Sequence, residues 1–335
     1  MVPDPVSPSA PATASEPPAR RTHPSKVAIV GAGAVGATLA YATLIKGAAR
    51  EVVLYDVNRA KVDAEVLDIG HGIEFMPMGS ISGSDDIGIC AGADIVVVTA
   101  GAKQRPGQSR MDLAEATINL TKTLVPRLVD VAPEAIHLMV TNPVDVVTHV
   151  ALKLSGLPSH QLFGSGTVLD SSRLRWLIAL RTGVAVHNVH AYMVGEHGDT
   201  EFPLWSASSI ASIPLLDWPQ TGANKLDATD REEIARDVVG AAYKIIEGKG
   251  ATNYAVALAG ARIIEAILRD EHRVLPVSSL LTDYAGISDV CLSVPSIVGS
   301  EGVRSTLHVP MNDEEAALLR ASAERIRSVA AAFGF

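Results

Sequence analysis

KVAIVGAGAVGATLAYATLIKG, residues 26–47, decides the architecture. Its first five residues, Lys26 to Val30, form a short, largely apolar run, the pattern of a buried strand. Gly31, Gly33 and Gly36 follow as GxGxxG, and an apolar helical run begins at once. A strand that turns tightly into a helix leaves the N–H groups of the first helical turn unpaired. Glycines beside them keep side chains out of the way, so a phosphate can approach the backbone.

The next apolar run, EVVLYD (51–56), ends on Asp56, twenty residues after Gly36. An acid at that point hydrogen-bonds ribose hydroxyls and repels a 2′-phosphate, which favours NAD over NADP. Arg59 and Lys61 stand close by in sequence and keep NADP as the alternative. An ordinary strand–turn–helix with an exposed aspartate is the plainer reading of the glycines alone. Strand, glycines, helix and acid occurring together outweigh it, and the cofactor expected is NAD.

The same rhythm continues outward. A polar helix is expected over 58–69, an apolar strand in ADIVVVTAG (93–101), an amphipathic helix over about 109–130 and a further strand within AIHLMVTNPVDV (135–146). Strands alternating with helices predict an α/β fold: a doubly wound parallel (Rossmann) sheet of six strands, followed by a mixed α/β substrate domain. In the second half, helices are expected at 168–181, 228–247 and 252–270, and VHAYMVGEHG (189–198) is expected as a strand. A last helix starts at the capping pair Asn312/Glu315. The division falls at 26–164 and 165–335. Residues 1–25, rich in Pro, Ala and Ser, are expected to be a disordered tail.

Composition narrows the function classes. A formal charge of −9 opposes a nucleic-acid surface, which needs cationic excess to displace counterions. No apolar run reaches the length of a membrane span, and residues 1–25 lack a secretory core. Cys90 and Cys291 fit no CxxC spacing, so free thiols in the cytoplasm are expected. No metal site is expected, because His187 and His190 have no third ligand at a zinc-like spacing.

Four stretches outside the fingerprint carry unusual polar chemistry: AKQRPGQSR (102–110), VTNPVD (140–145), LDSSRLR (169–175) and GEHGD (195–199). Together with GATNYA (250–255) and the glycine turn, in this order and spacing, they resemble the L-lactate/L-malate dehydrogenase family from Lys26 almost to the C-terminus. The resemblance implies reversible hydride transfer between a nicotinamide cofactor and a small 2-hydroxy acid of L configuration. It implies His197 as the acid/base, Asp170 as the carboxylate orienting it, and Arg173 as the two-point clamp on the substrate carboxylate. Arg110 would polarise the reacting carbonyl, and Asn142 would orient nicotinamide or substrate. The implied cofactor set is Gly31, Gly33, Ala34, Val35, Gly36, Asp56, Thr99, Ala100, Gly101 and Asn142.

Substrate choice within the family turns on one charge. Oxaloacetate brings a second carboxylate that needs a second cation, whereas pyruvate brings a methyl group. Gln104, six before Arg110, falls at the selecting position and is neutral, as in lactate enzymes; Thr252 lines the same wall. Arg105 next door keeps malate dehydrogenase as the alternative. A catalytically silent NAD-binding protein is a second alternative, opposed by His197, Asp170, Arg110 and Arg173 all being present. A short-chain dehydrogenase would need YxxxK, and no tyrosine has it. Arg175 and His190 stand where bacterial lactate enzymes bind fructose bisphosphate between subunits, implying an allosteric homotetramer.

Overall fold

The computed structural model describes residues 24–101 and 110–335, and the side chains of 24–101 and 114–335. Most of the expected tail, the loop carrying Gln104 and Arg105, and the side chain of Arg110 lie outside the described residues. Ser25, grouped with the tail by composition, is tied to the body, its carbonyl accepting from the Arg50 and Glu51 amides.

β1 (Lys26–Val30), β2 (Glu51–Tyr55), β3 (Ser80–Ser84), β4 (Ile95–Val98), β5 (Ile136–Met139) and β6 (Leu162–Gly164) pair parallel in the order β3-β2-β1-β4-β5-β6. The helices between them are α1 (Ala34–Ile45), α2 (Arg59–His71), α3 (Arg110–Val131) and α4 (Val144–Ser155). This is the doubly wound sheet, with its order reversing at β1 and β4. Alternate residues of β1 serve the two faces: Val27 and Ile29 pack with Leu39 and Leu44 of α1, while Ala28 and Val30 pack with Leu124 and Leu128 of α3.

The second half begins with α5 (Val168–Thr182) and a run of two-residue strands: β7 (Val189–His190), β8 (Met193–Val194), β9 (Phe202–Pro203), β10 (Ser209–Ile210) and β11 (Ile213–Pro214). The continuous strand expected over 189–198 is therefore replaced by two short ones. Gly195 takes φ +94° and bridges to Ser293, which turns the chain out of the strand before His197. Then come α6 (Ala228–Lys249), α7 (Tyr254–Leu268), the antiparallel strands β12 (Arg273–Leu281), β13 (Val290–Gly299) and β14 (Gly302–Thr306), and α8 (Asp313–Ala332). Asn312 and Glu315 form the expected reciprocal cap at the start of α8.

β12 and β13 carry no clear pattern in the sequence because Pro276 and Pro295 interrupt them, facing each other across the pair, and β14 is short and mostly polar. They extend the parallel sheet into one nine-stranded sheet, joined through Ser278 of β12 opposite Gly164 of β6. β3, SISGS, gives no hydrophobic signal because it is a polar edge strand.

Candidate active site

At the carboxyl ends of β1, β2 and β4, where ligands of such sheets bind, a cleft of about 570 Å³ opens. Gly31, Gly33, Ala34, Val35, Gly36, Asp56, Thr99, Ala100, Gly101, Asn142 and Thr252 all line it. Two glycines are there for steric reasons. A Cβ on Gly36 would sit 1.9 Å from the Gly31 carbonyl oxygen, and Gly31 itself takes φ +104° with the Ala100 backbone against it. Gly33 differs: a Cβ there would meet only the Lys61 Nζ, at 3.9 Å, so its bare backbone faces the cleft. Gly33 is also the N-cap of α1, without a side-chain cap, so the first turn of that helix presents its N–H groups to whatever enters.

Asp56 braces this turn. Its carboxylate accepts from the Ala32 amide at 2.8 Å and from the Asn58 amide at 3.0 Å. Arg59 is diverted by ion pairs to Asp63 and Asp85, while Lys61 lines the cleft with its Nζ beside Gly33. Thr99 and Thr141 hold the opposite wall through bonds to the Gly31 and Ala100 carbonyls. A bare backbone, a free helix N-terminus and the Asp56 carboxylate fit an NAD pyrophosphate and ribose.

A second cluster lies on α5 and the turn after β8. The i,i+3 spacing on α5 brings Arg173 Nη1 to 2.7 Å from Asp170 Oδ1. Asp170 Oδ2 stands 2.6 Å from His197 Nδ1. Asp170 is fully buried, and the His197 side chain is 23% exposed. Burial alone would push the imidazole down. The Asp170 carboxylate, by its charge and its hydrogen bond, is the main influence that overcomes this and lifts His197 to about 9. Burial works against the Asp170 charge as well, but His197 and Arg173 together hold its carboxyl below the usual range.

The two clusters are stitched together through the start of α4. Asn142, on the cleft wall, precedes Asp145 by three residues. Asp145 accepts the His197 backbone N–H at 2.7 Å and the Ser293 hydroxyl at 3.2 Å. From α8, Ser322 accepts the Glu196 amide at 2.6 Å, fixing the same turn. Burial raises the Asp145 carboxyl to about 6.

With this geometry in hand, the likeness to known proteins is extensive. Residues 25–164 match the lactate/malate dehydrogenase NAD-binding domain, and residues 167–332 match the alpha/beta C-terminal domain of the same enzymes. The chain belongs to the lactate/malate dehydrogenase family. It is 58% identical to the L-lactate dehydrogenase of Bifidobacterium animalis subsp. lactis, over 93% of this chain and 98% of that one. The L-lactate dehydrogenase of Thermoanaerobacter pseudethanolicus is 46% identical over 91% of this chain and 98% of its own. The crystal structure of a minor L-lactate dehydrogenase from Enterococcus mundtii superposes with a TM-score of 0.88 at 36% identity, covering 92% of this chain and 98% of that one. As a member of this family the chain is an NAD-dependent dehydrogenase, and its cofactor is NAD.

The structure thus brings His197, Asp170 and Arg173 together and sets Asn142 and Thr252 on the cleft wall. Arg110 starts α3, with its side chain outside the described residues, as is Gln104. Arg175 and His190 share a separate cavity of about 680 Å³ with His187, Arg262, His272 and Arg273. There Arg175 Nε donates to the Ala191 carbonyl at 2.8 Å, and its guanidinium lies over the Tyr192 ring at 4.9 Å. Sequence reading assigned no role to Asp145, Glu201 or Ser322. The available signal was weak: an acid inside the apolar run VDVV, and another against Phe202.

Proposed function

We propose that this chain is an L-lactate dehydrogenase, interconverting pyruvate + NADH + H⁺ and L-lactate + NAD⁺. The observation that carries the chemistry is the 2.6 Å contact between His197 Nδ1 and Asp170, which leaves Nε2 for the substrate oxygen. The bound nicotinamide supplies or accepts the hydride. The protein's part is to deliver a proton to the carbonyl oxygen from His197 and take it back in reverse. With His197 held near 9, the imidazolium form prevails at neutral pH, which suits pyruvate reduction. Arg173 keeps donors beyond the one given to Asp170 for the substrate carboxylate. Arg110 is assigned to the developing charge on the carbonyl oxygen, Asn142 to the nicotinamide amide, and the neutral Gln104 and Thr252 to the wall facing the pyruvate methyl. The lactate assignment is supported by those neutral positions and by the names of the relatives. Steady-state NADH oxidation with pyruvate and oxaloacetate side by side tests it: pyruvate should win by orders of magnitude. Preference for oxaloacetate would make Arg105 the selecting residue and the chain a malate dehydrogenase.

Regulation is part of the same reading. Arg175 and His190 share one cavity with Arg273, while Glu271 there is paired with Arg262, and a sugar bisphosphate such as fructose bisphosphate matches the remaining cationic side chains. Exposed apolar side chains on the neighbouring helices, Trp176 and Leu180 of α5, Tyr243 and Ile246 of α6 and Tyr254 of α7, favour a homotetramer in which subunits cover them. No described helix is long and apolar enough to cross a membrane, and the proposed location is the cytoplasm. Fructose bisphosphate should lower the pyruvate concentration needed for half-maximal rate; an unmoved saturation curve at mildly acidic and neutral pH would rule the activation out.

A further inference from the structure

His197 is faced by three acids. Asp170 Oδ2 lies 2.6 Å from Nδ1, Glu201 Oε2 lies 3.9 Å from the same nitrogen, and Asp145 holds the backbone N–H. The Asp170 and Glu201 side chains are only 1% and 3% exposed. Two carboxyl groups side by side at such burial cannot both be ionised without severe repulsion. The bonding pattern decides which keeps its proton. Asp170 receives Arg173 on one oxygen and His197 on the other. Glu201 Oε2 is buried with no hydrogen-bond donor directed at it among the described residues.

A cation does not explain the cluster. The donor atoms of Asp170, His197 and Glu201 lie within 4.8 Å of one another. However, the 2.6 Å between Nδ1 and Oδ2 is a hydrogen-bond length. Two ligands of one tetrahedral ion at usual bond lengths stand roughly 3.3 Å apart.

We propose that Glu201 is a positioning residue for the acid–base step: it stays neutral at physiological pH and donates its carboxyl proton to the Asp170 carboxylate. This rests on the reading of His197 as the acid–base group. The groups facing Glu201 are Asp170 and Arg173 from α5 and His197 from its own turn, with Asp145 of α4 behind His197. Burial and the Asp170 charge push the Glu201 carboxyl up to about 9, against the opposing pull of His197 and Arg173. A proton donated to Asp170 stabilises the aspartate charge without adding another. Asp170 then attracts the imidazolium less strongly, so His197 can release its proton for lactate oxidation as well as hold it for pyruvate reduction.

Two variants and one spectrum test this on the full enzyme, with NADH saturating for pyruvate reduction and NAD for lactate oxidation. Glu201→Gln keeps a neutral donor of the same length, and Glu201→Leu keeps the bulk without the donor. E201Q should leave pyruvate kcat/KM within about threefold of wild type, well under the roughly 10²-fold floor for losing an acid–base group, with the pH profile unmoved. E201L should shift the profile to higher pH and slow lactate oxidation more than pyruvate reduction. The infrared difference between wild type and E201Q at neutral pH should contain the band of a protonated carboxyl. If Glu201 is ionised instead, E201Q removes a negative charge beside the imidazolium, lowers the apparent pKa by about a unit and shows no such band. An unmoved profile in E201L would equally overturn the proposal, reducing Glu201 to a packing role. Should E201L not fold, E201Q and the spectrum decide. The spectrum reads Glu201 whatever the substrate proves to be, so loss of the lactate assignment and loss of this proposal remain distinguishable.

Discussion

The nucleotide cleft and the acid–base cluster are built on opposite plans. The cleft is made of backbone: glycines that admit a phosphate, a helix N-terminus without a cap, and one carboxylate bracing the turn. The glycine turn, the helix N-terminus and the bracing acid come from one continuous segment, Lys26 to Asp56. The cluster is made of side chains brought from α4, α5 and the turn before β9, with α8 and β13 behind them. Backbone recognition tolerates little change in shape but depends on few charges. The side-chain cluster is the reverse, because each buried charge relies on the next. Damage to one should therefore leave the other readable.

The largest separation is expected from Asp170→Asn and His197→Asn. Each should cut pyruvate turnover by roughly 10²- to 10⁴-fold. NADH affinity, followed by fluorescence titration, should stay within about threefold, since neither residue lines the cleft. Gly36→Val breaks the comparison from the other side. Its Cβ is driven into the Gly31 carbonyl, and NADH binding should weaken by about 100-fold or more. The circular dichroism spectrum should show whether the sheet survives. Asp56→Ser should be milder, weakening NADH about 10- to 100-fold through loss of charged hydrogen bonds while improving NADPH relative to it. The smallest effect should come from Ser322→Ala, which leaves the Glu196 amide unpaired. A loss of about 1–3 kcal/mol in denaturant stability is expected, with pyruvate kcat down only a few-fold.

The same contrast explains what was legible in the sequence. Strand, glycine turn, helix and acid of the cleft are local, so periodicity and spacing located them within a residue or two. Asp170 and Arg173 were legible as an i,i+3 pair for the same reason. Glu201 and Asp145 were not. Asp145 matters through His197, 52 residues away, and Glu201 through Asp170 on α5 as well as through nearby His197, and burial of a carboxyl is invisible in a one-dimensional pattern. β12 and β13 escaped because prolines and serines interrupt their apolar runs, although both strands are buried by helices on either side of the sheet. The expected strand at 189–198 failed at Gly195, where a positive φ ends it and lets the His197 turn swing toward Asp170. A strand continued through His197 would have carried the imidazole away with it.

The most direct test is the pH dependence of kcat/KM for pyruvate, with NADH saturating, followed against L-lactate oxidation with saturating NAD. Pyruvate reduction needs the imidazolium and lactate oxidation the neutral ring. The first should hold steady through neutral pH and fall as pH rises through about 9, while the second rises over the same interval. A pyruvate profile that falls near 6.5, the ordinary histidine value, would mean that the Asp170 carboxylate does not sustain the His197 charge, and would contradict the account.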